Sequence, residues 1–262
     1  MNIIVLGCHG SDGFPEVQNG FRPCNTCAFL LNGTILIDAG TIASALSLND
    51  QKLLRHVLLS HLHFDHIRGL PTLADNLSEH AHKSIVVAGL PEVVDGLRRH
   101  IFNTDVYPDF FAIPSTEHPI LTPHYLKPGT SYSISGITAT PITVNHTVPT
   151  VGFIVDDRAT AFVYSGDTCS TEEIWHEAKR LPHLKAAFIE CSFPDSMMDL
   201  ALRSKHLTPS LFAKECEKLG RDDITIYAYH LKTTYKSQIK RALEALNIPN
   251  LIVLEEGMTV TI

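Results

Sequence analysis

Short apolar runs rich in isoleucine, valine, leucine and phenylalanine recur along the chain, separated by glycine, asparagine and aspartate turn signals. Runs of about four to eight such residues between turn signals predict β-strands. We expect strands over residues 3–6, 27–31, 34–37, 56–59, 84–88, 132–144, 152–155, 161–164, 186–189 and 224–228.

Segments with apolar positions at the helical period fall between these strands. They predict helices over residues 42–48, 70–77, 91–102, 171–180, 208–219 and 234–246. The alternation of sheet and helix favours a layered α/β arrangement in which two sheets form the middle. No internal repeat or linker interrupts this pattern, and 262 residues with 44% hydrophobic content suit one large domain. We therefore expect a single domain over residues 1–262.

A dense group of potential metal ligands follows the apolar run 57–60, and its members are His61, His63, Asp65 and His66. Side chains two positions apart share a face of an extended chain, so His61 and His63 can point at one metal ion. Asp65 and His66 follow where the chain turns, and they can face a second ion nearby. Imidazole with carboxylate is a ligand set for zinc, and less specifically for manganese or iron. The spacing therefore predicts two metal ions rather than one.

The formal net charge of -7 argues against a broad electropositive surface. We therefore do not expect binding to long nucleic acid, whereas a small anionic substrate held by metal ions is compatible with this charge. Residues 1–7 are apolar without a preceding basic segment, which indicates a strand rather than a signal peptide. No apolar stretch approaches the roughly 18 to 20 residues that cross a bilayer. We expect a soluble cytoplasmic protein with no membrane partner.

The six cysteines include one C-x-x-C pair, Cys24 and Cys27. A disulfide framework is not expected in a chain with so large a core. A zinc site of the C-x-x-C kind needs a matching second pair of ligands, and the sequence shows none. An inert role is therefore favoured over a redox or metal-binding one.

Asp38 ends the apolar run 34–37 and precedes a tight turn. A carboxylate at this strand end lies near the position where the next strand delivers His61, so it can hydrogen-bond a ligand imidazole or the loop backbone. A simple turn-forming aspartate explains the residue equally well. Both interpretations stay open.

Two metal ions need more ligands than residues 61–66 supply, and three further candidates also follow apolar runs: His146, Asp167 and His230. The order His-x-His-x-Asp-His, His146, Asp167, His230 resembles the metallo-β-lactamase superfamily over almost the whole chain. The resemblance implies an α/β fold, a four-layer αββα sandwich. It also implies two bound divalent metal ions, most consistent with Zn²⁺ and compatible with Mn²⁺.

The resemblance further implies how the seven ligands are divided. Three would hold the first ion, three would hold the second and one would bridge them: His61, His63 and His146; Asp65, His66 and His230; and Asp167. Asp65 would also take part in catalysis.

A second pattern narrows the branch of the superfamily. Glu190 ends an apolar run, and Lys205-His206-Leu207-Thr208 opens a predicted helix. This resembles the glutamate and the His-x-Thr sequence of tRNA 3'-processing endonucleases (tRNase Z) and of class II cyclic-nucleotide phosphodiesterases. There His206 would protonate the leaving oxygen, and Glu190 would orient its imidazole. A capping threonine beside a surface histidine is the simpler alternative.

Residues 97–103 and 107–110 distinguish between these two enzyme classes. They resemble the "HIFN, then W/Y-PDF" stretch of class II cyclic-nucleotide phosphodiesterases, although Tyr107 stands where tryptophan is common. Phe102, Asn103 and Tyr107 are therefore candidates for binding the nucleobase, together with Phe110, and core packing is the alternative for the two phenylalanines. The sequence has no lysine- and arginine-rich insertion resembling the arm of tRNase Z enzymes.

The sequence thus predicts a hydrolase that converts 3',5'-cyclic nucleotides to nucleoside 5'-monophosphates. The resemblance also implies a homodimer whose partner molecule is a small cyclic nucleotide of undetermined base. A tRNase Z-like endonuclease, a lactone or thioester hydrolase and a silent nucleotide-binding protein are the alternatives. Glu190 and His206 argue against carbonyl hydrolysis, which does not require this acid, and the complete ligand set argues against a silent protein.

Overall fold

The computed structural model describes residues 1–13, 23–79 and 83–262. The strands in these ranges have the following bounds, in chain order: β1 Asn2–Gly7, β2 Ala28–Leu31, β3 Ile35–Ile37, β4 His56–Leu58, β5 Ile85–Gly89, β6 Leu121–Tyr125, β7 Tyr132–Ile134, β8 Ile137–Thr143, β9 Val151–Asp156, β10 Ala161–Tyr164, β11 Leu184–Glu190, β12 Thr225–Tyr229, β13 Leu251–Val253 and β14 Thr259–Thr261. The helices are α1 Leu48–Gln51, α2 Phe64–Ile67, α3 Gly69–Ser78, α4 Pro91–His100, α5 Glu173–Lys179, α6 Met198–Ser204, α7 Pro209–Leu219 and α8 Lys236–Ala245.

The strands of the described residues form two mixed sheets. The first has the order β14-β1-β2-β3-β4-β5-β6, and the second has the order β13-β12-β11-β10-β9-β8-β7. Strands β3 to β6 are parallel in the first sheet, and β10 to β13 are parallel in the second. Parallel neighbours end at the same edge of a sheet. Each sheet therefore presents several strand ends, and the loops that follow them, side by side.

The two sheets pack face to face, and helices cover their outer faces. Phe29 of the first sheet contacts Tyr164, Phe188 and Tyr229 of the second, with ring centroids 5.5 to 5.9 Å apart in edge-to-face geometry. Such aromatic pairs stabilise by about 0.5–1.5 kcal/mol beyond their burial. Helices α5, α7 and α8 contribute a second apolar core against the other face of the second sheet, while α4 packs on β5 and β6. The fold is a four-layer αββα sandwich.

Two predicted elements were wrong in their bounds. Residues 42–47 form turns rather than a helix, because Ser47 is the N-cap of α1: its Oγ accepts a hydrogen bond from the Asp50 amide at 3.2 Å. The single strand predicted over 132–144 is a hairpin of β7 and β8. Ser135 and Gly136 have φ angles of 46° and 88°, and two consecutive left-handed residues close a tight hairpin.

The sequence pattern also missed three strands. Strand β6 contains Pro123, which lacks an amide donor and disfavours a strand in the interior of a sheet. It is tolerated because β6 lies at the edge of the first sheet. Strands β13 and β14 are three residues long, too short for a period to show. In the described part of the chain, no helix has both the length and the apolar character needed to cross a bilayer.

Candidate metal centre

The strand ends of the two sheets bring the predicted ligands together. In the first sheet, Ile37 pairs with Leu58, so the residues after β3 and β4 are neighbours. In the second sheet, β10, β11 and β12 are parallel neighbours, so Asp167, Glu190 and His230 lie at one edge. A hydrogen bond of 3.0 Å from the Val151 amide to the Ser60 carbonyl joins the two edges.

The structure gathers the ligands predicted for the first ion. One ligand atom each of His61, His63, His146 and Asp167 can be chosen so that all lie within 4.8 Å of one another. His63 Nδ1 and His146 Nε2 are 3.1 Å apart, and His61 Nε2 is 3.7 Å from Asp167 Oδ2. This spacing leaves a metal ion within reach of all four side chains.

The ligands predicted for the second ion form an adjoining group. Atoms of Asp65, His66, Asp167 and His230 also lie within 4.8 Å of one another. Asp167 Oδ2 is 3.3 Å from His66 Nε2 and 3.2 Å from His230 Nε2. Asp167 belongs to both groups, which is the position that a bridging carboxylate requires.

Asp38 organises the first-sheet side of this centre. Its Oδ2 accepts hydrogen bonds from His66 Nδ1 at 2.8 Å, Ser60 Oγ at 2.9 Å and Tyr164 Oη at 2.6 Å. Ser60 Oγ in turn accepts from His61 Nδ1 at 2.9 Å. Because Nδ1 of both histidines donates to these oxygens, Nε2 of each is left as the lone-pair donor that faces the centre. Asp38 thus orients ligand imidazoles as well as ending a strand.

Two oxygens orient the histidines of the second sheet in the same way. His146 Nδ1 donates to the Lys205 carbonyl at 3.1 Å, and His230 Nδ1 donates to Ser192 Oγ at 2.8 Å. In both rings Nε2 again points toward the other ligands. Such outer partners fix ring orientation and increase the basicity of a ligating imidazole.

The electrostatics of the centre favour a bound cation. Burial lowers the pKa of His61 well below its usual range and that of His146 to about 4, so both rings are neutral and can donate lone pairs. Burial opposes charge on His66 and Asp167 as well. The effect of burial is outweighed by neighbouring charges at both residues. The carboxylates of Asp167 and Asp38 raise the pKa of His66. The imidazoles of His230 and His66 lower the pKa of Asp167. Protons in this buried cluster therefore occupy positions that a divalent cation can take.

Two orphaned atoms test whether metal ions fit here. Among the described residues, His61 Nε2 and Asp167 Oδ1 are the buried side-chain nitrogen and oxygen atoms without a hydrogen-bond partner. An unsatisfied buried polar group costs about 1–3 kcal/mol, and both atoms belong to residues of the ligand groups. A metal ion would satisfy both of them. The imidazole and carboxylate donors suit zinc or manganese.

Three residues that shape this centre have a left-handed backbone conformation. His230, Asp38 and Lys205 have φ angles of +68°, +56° and +54°, which residues with a Cβ rarely adopt. Each costs of order 1–3 kcal/mol and persists only where surrounding contacts hold it. A hydrogen bond of 2.6 Å from the His230 amide to the Cys8 carbonyl is one such contact.

Glycine is required at Gly166, directly before the shared carboxylate. Its φ is +61°, and a Cβ there would lie 2.8 Å from the Val151 carbonyl oxygen. A side chain would therefore push the Asp167 loop away from the first-sheet edge.

His206 and Glu190 lie beside the ligands. His206 Nδ1 donates to Glu190 Oε1 at 2.7 Å. The His206 ring is 5.0 Å from that of His146 and 5.4 Å from that of His230, measured between centroids. Burial alone would lower the pKa of His206, but Glu190 outweighs it and raises the pKa. The ring is therefore held as a proton donor next to both ligand groups.

The residues predicted to bind the nucleobase differ in their burial and in their contacts. Phe102 is 1% exposed and packs against the rings of Tyr107, Phe110 and Phe111, which agrees with the core-packing alternative. It also lines an open cavity with Asn103, and its contact with substrate stays a prediction. Asn103 uses its amide locally, donating to the Arg99 carbonyl and accepting from backbone amides. Tyr107 is half-buried. Substrate contact by Asn103 and Tyr107 stays a prediction.

Several supporting residues were not identified from the sequence. Ser60, Tyr164, Ser192 and Lys205 all fix ligands or the acid, yet none carries a distinctive motif. A usable signal existed for two of them. Ser60 precedes the first ligand, and Ser192 stands two positions after Glu190, where an extended chain returns a side chain to the same face.

Residues 34–230 match the family model described as "Beta-lactamase superfamily domain". This range contains all seven predicted ligands. The chain belongs to the metallo-β-lactamase superfamily.

This superfamily member is similar to a characterised protein of Saccharomyces cerevisiae, 3',5'-cyclic-nucleotide phosphodiesterase 1. The two sequences are 27% identical over 231 residues, which cover 76% of this chain and 59% of the relative. The chain thus spans about three fifths of the length of that relative.

Solved structures support the same fold. The crystal structure of unliganded yeast PDE1 superposes with a TM-score of 0.80 at 20% identity, covering 98% of each chain. The short form of human tRNase Z superposes with a TM-score of 0.70 at 17% identity, covering 100% of this chain and 99% of that one. At these identities the similarity establishes the fold alone.

Proposed function

We propose that the protein is a dinuclear metal-dependent phosphodiesterase that hydrolyses 3',5'-cyclic nucleotides to nucleoside 5'-monophosphates. The position of His206 carries the proposal. Atoms of His206, Glu190 and His230 lie within 4.8 Å of one another, so a proton donor stands directly beside a predicted metal ligand. Cleavage of a phosphodiester expels an alkoxide, and this leaving group needs a proton from a positioned acid.

The predicted ligands would bind the metal ions, and His206 would supply the proton. His61, His63 and His146 would hold one ion, and Asp65, His66 and His230 the other, with Asp167 shared. When bound, two such ions supply Lewis acidity and make hydroxide available at neutral pH.

The remaining steps belong to protein groups. His206 donates a proton to the departing 3' oxygen of the substrate from Nε2, the ring nitrogen that does not contact Glu190. Glu190 holds the ring through Nδ1 and stabilises the charged form before transfer. Ser192 Oγ donates to Glu190 Oε2 at 2.8 Å and accepts from His230 Nδ1, so the acid and a predicted ligand keep a fixed relative position.

The yeast relative supports the substrate class, because its name states 3',5'-cyclic nucleotides. A tRNase Z-like endonuclease breaks the same kind of bond and is the main alternative. The net charge of -7 disfavours it, since tRNA binding depends on neutralising many phosphates. The paired His206 and Glu190 also disfavour a thioester hydrolase, because a thiolate leaves without the proton that an alkoxide needs.

A substrate panel tests the proposal. Purified protein with zinc or manganese is assayed against cAMP, cGMP, cCMP, cUMP, bis-p-nitrophenyl phosphate and a precursor tRNA. We expect hydrolysis of at least one cyclic nucleotide to the 5'-monophosphate and of the model diester. Asp167→Ala protein purified in parallel controls for contaminating nucleases.

Cleavage of the precursor tRNA with no turnover of any cyclic nucleotide would instead assign the endonuclease activity. Loss of all activity in the presence of both metals would contradict a phosphodiesterase.

A further inference from the structure

A second group of metal-binding side chains lies outside the catalytic centre. Cys8 and His9 follow β1, and Glu256 lies in the turn between β13 and β14. Because β14 pairs with β1, the fold brings these residues together across almost the entire chain. Atoms of all three lie within 4.8 Å of one another.

The three groups are close and shielded from solvent. His9 Nδ1 is 2.6 Å from Glu256 Oε1 and 3.6 Å from Cys8 Sγ. Cys8 and His9 are each 1% exposed, and the Glu256 side chain is 13% exposed. Glu256 also lines an open cavity of about 550 Å³, which gives an ion a route to the group.

Cys27 of the C-x-x-C pair lies next to this cluster, with its Sγ 3.7 Å from the His9 carbonyl. Cys24 and Cys27 are both buried. Neither thiol belongs to the group formed by Cys8, His9 and Glu256.

The chemistry of the donors suits a borderline-soft divalent cation. Thiolate, imidazole and carboxylate are the three ligand types that zinc takes in proteins, and magnesium or calcium would not choose a thiolate.

We propose that Cys8, His9 and Glu256 form a third metal site, which binds a zinc-like divalent cation and ties the end of β1 to the turn before β14. The ion would stabilise the backbone beneath the catalytic centre. The Cys8 carbonyl accepts the hydrogen bond from the strained His230 amide, and Cys8 is the first ligand of the new site.

Cobalt substitution tests the site independently of any substrate. The seven predicted catalytic ligands are imidazoles and carboxylates, so a thiolate-to-Co²⁺ charge-transfer band in the near ultraviolet reports a cysteine ligand. We expect metal-free wild-type protein to develop this band and to saturate it by three equivalents of Co²⁺, two of which fill the catalytic centre without adding to the band. We expect Cys8→Ser to lose the band and to contain one zinc ion fewer per chain than wild type.

Two further variants make the result specific. Cys27 Sγ lies within 4.8 Å of His66 and His230 nitrogen atoms, so Cys27→Ser is the control for a thiol near the catalytic ions. It should retain the band. Glu256→Gln keeps both thiol and imidazole and should weaken Co²⁺ binding by about tenfold or more.

The proposal is overturned by the absence of a charge-transfer band in wild-type protein, by an unchanged band in folded Cys8→Ser, or by loss of the band in Cys27→Ser. If Cys8→Ser does not fold, the bands of wild type and Cys27→Ser and the Co²⁺ affinity of Glu256→Gln test the proposal. A band in wild type that Glu256→Gln leaves at full affinity contradicts the proposed ligand set.

Discussion

His206 and Glu190 form a buried pair in which Nδ1 of the imidazole donates to Oε1 of the carboxylate at 2.7 Å. The pair joins the end of β11 to the segment before α7. It lies against the rings of two predicted ligands, His146 and His230. A buried imidazole next to a carboxylate and to predicted metal ligands is the arrangement that the proposed general acid requires.

His206→Ala should slow cyclic-nucleotide hydrolysis by about 10²-fold or more, while hydrolysis of bis-p-nitrophenyl phosphate falls much less. A ribose alkoxide needs a proton to depart, whereas p-nitrophenolate leaves unaided. Steady-state kinetics on both substrates measure the difference, and metal analysis should show unchanged content. Glu190→Gln should show a weaker form of the same selectivity. Equal loss on both substrates, or no loss on either, would exclude His206 as the general acid.

The pH dependence of cyclic-nucleotide hydrolysis should shift in Glu190→Gln. Burial opposes protonation of His206, and Glu190 raises its pKa above the usual value. An acid works only while protonated, so activity is full below this pKa and is lost as pH rises through it. Without the carboxylate the pKa falls, and the basic limb of the kcat profile should move to lower pH. An unmoved basic limb contradicts this assignment; the profile for bis-p-nitrophenyl phosphate is the internal control.

Asp167→Ala and His63→Ala should each abolish hydrolysis of cyclic nucleotides and of model diesters. Each variant removes a predicted ligand, and Asp167 belongs to both ligand groups. Loss of bound metal should accompany the loss of activity. Activity within about tenfold of wild type, equivalent to roughly 1.4 kcal/mol in the barrier, would contradict these roles.

The catalytic centre should hold two transition-metal ions. Cys8→Ser lacks the proposed third site, so elemental analysis of this variant, purified without chelator, should find close to two ions per chain. Chelation should remove activity from wild-type protein, and zinc or manganese should restore it. A metal content near zero that neither ion can restore would rule out the centre.

Glu215→Ala should destabilise the fold by about 3 kcal/mol without altering the metal centre. Glu215 is 1% exposed and accepts hydrogen bonds from Trp175 Nε1 at 2.7 Å and from the Thr171 amide at 3.1 Å. Removal leaves buried donors without a partner, each of which costs about 1–3 kcal/mol. Glu217→Ala on the exposed face of α7 is the control, with an expected change within about 0.5 kcal/mol. Denaturant unfolding measures both, and equal stability of the two variants would contradict the burial argument.

Much of the architecture was predictable because it depends on local pattern. Ligands at strand ends, such as His61 and Asp167, follow apolar runs whose period and length reveal the strand. Phe102 shows the limit of this reasoning, since an aromatic residue in a recognisable stretch reads the same whether it faces ligand or core. Its 1% exposure depends on Phe110 and Phe111, which pack on it only in the folded loop.

Contacts between distant segments were not predictable. Ser192 is an ordinary serine in the sequence, and its role depends on His230, 38 residues later. Cys8 and His9 acquire Glu256 through the pairing of the first and last strands. No local period or spacing in the sequence predicts a contact between residues so far apart.

The division of ligands between the two sheets has a consequence for biosynthesis. His61, His63, Asp65 and His66 emerge from the ribosome early, but Asp167 and His230 come only after most of the second sheet has been translated. A nascent chain that stops before His230 has incomplete ligands for the second ion, and the Asp38–Tyr164 hydrogen bond spans 126 residues. The predicted ligand set of the second ion is therefore complete only after translation has passed β12.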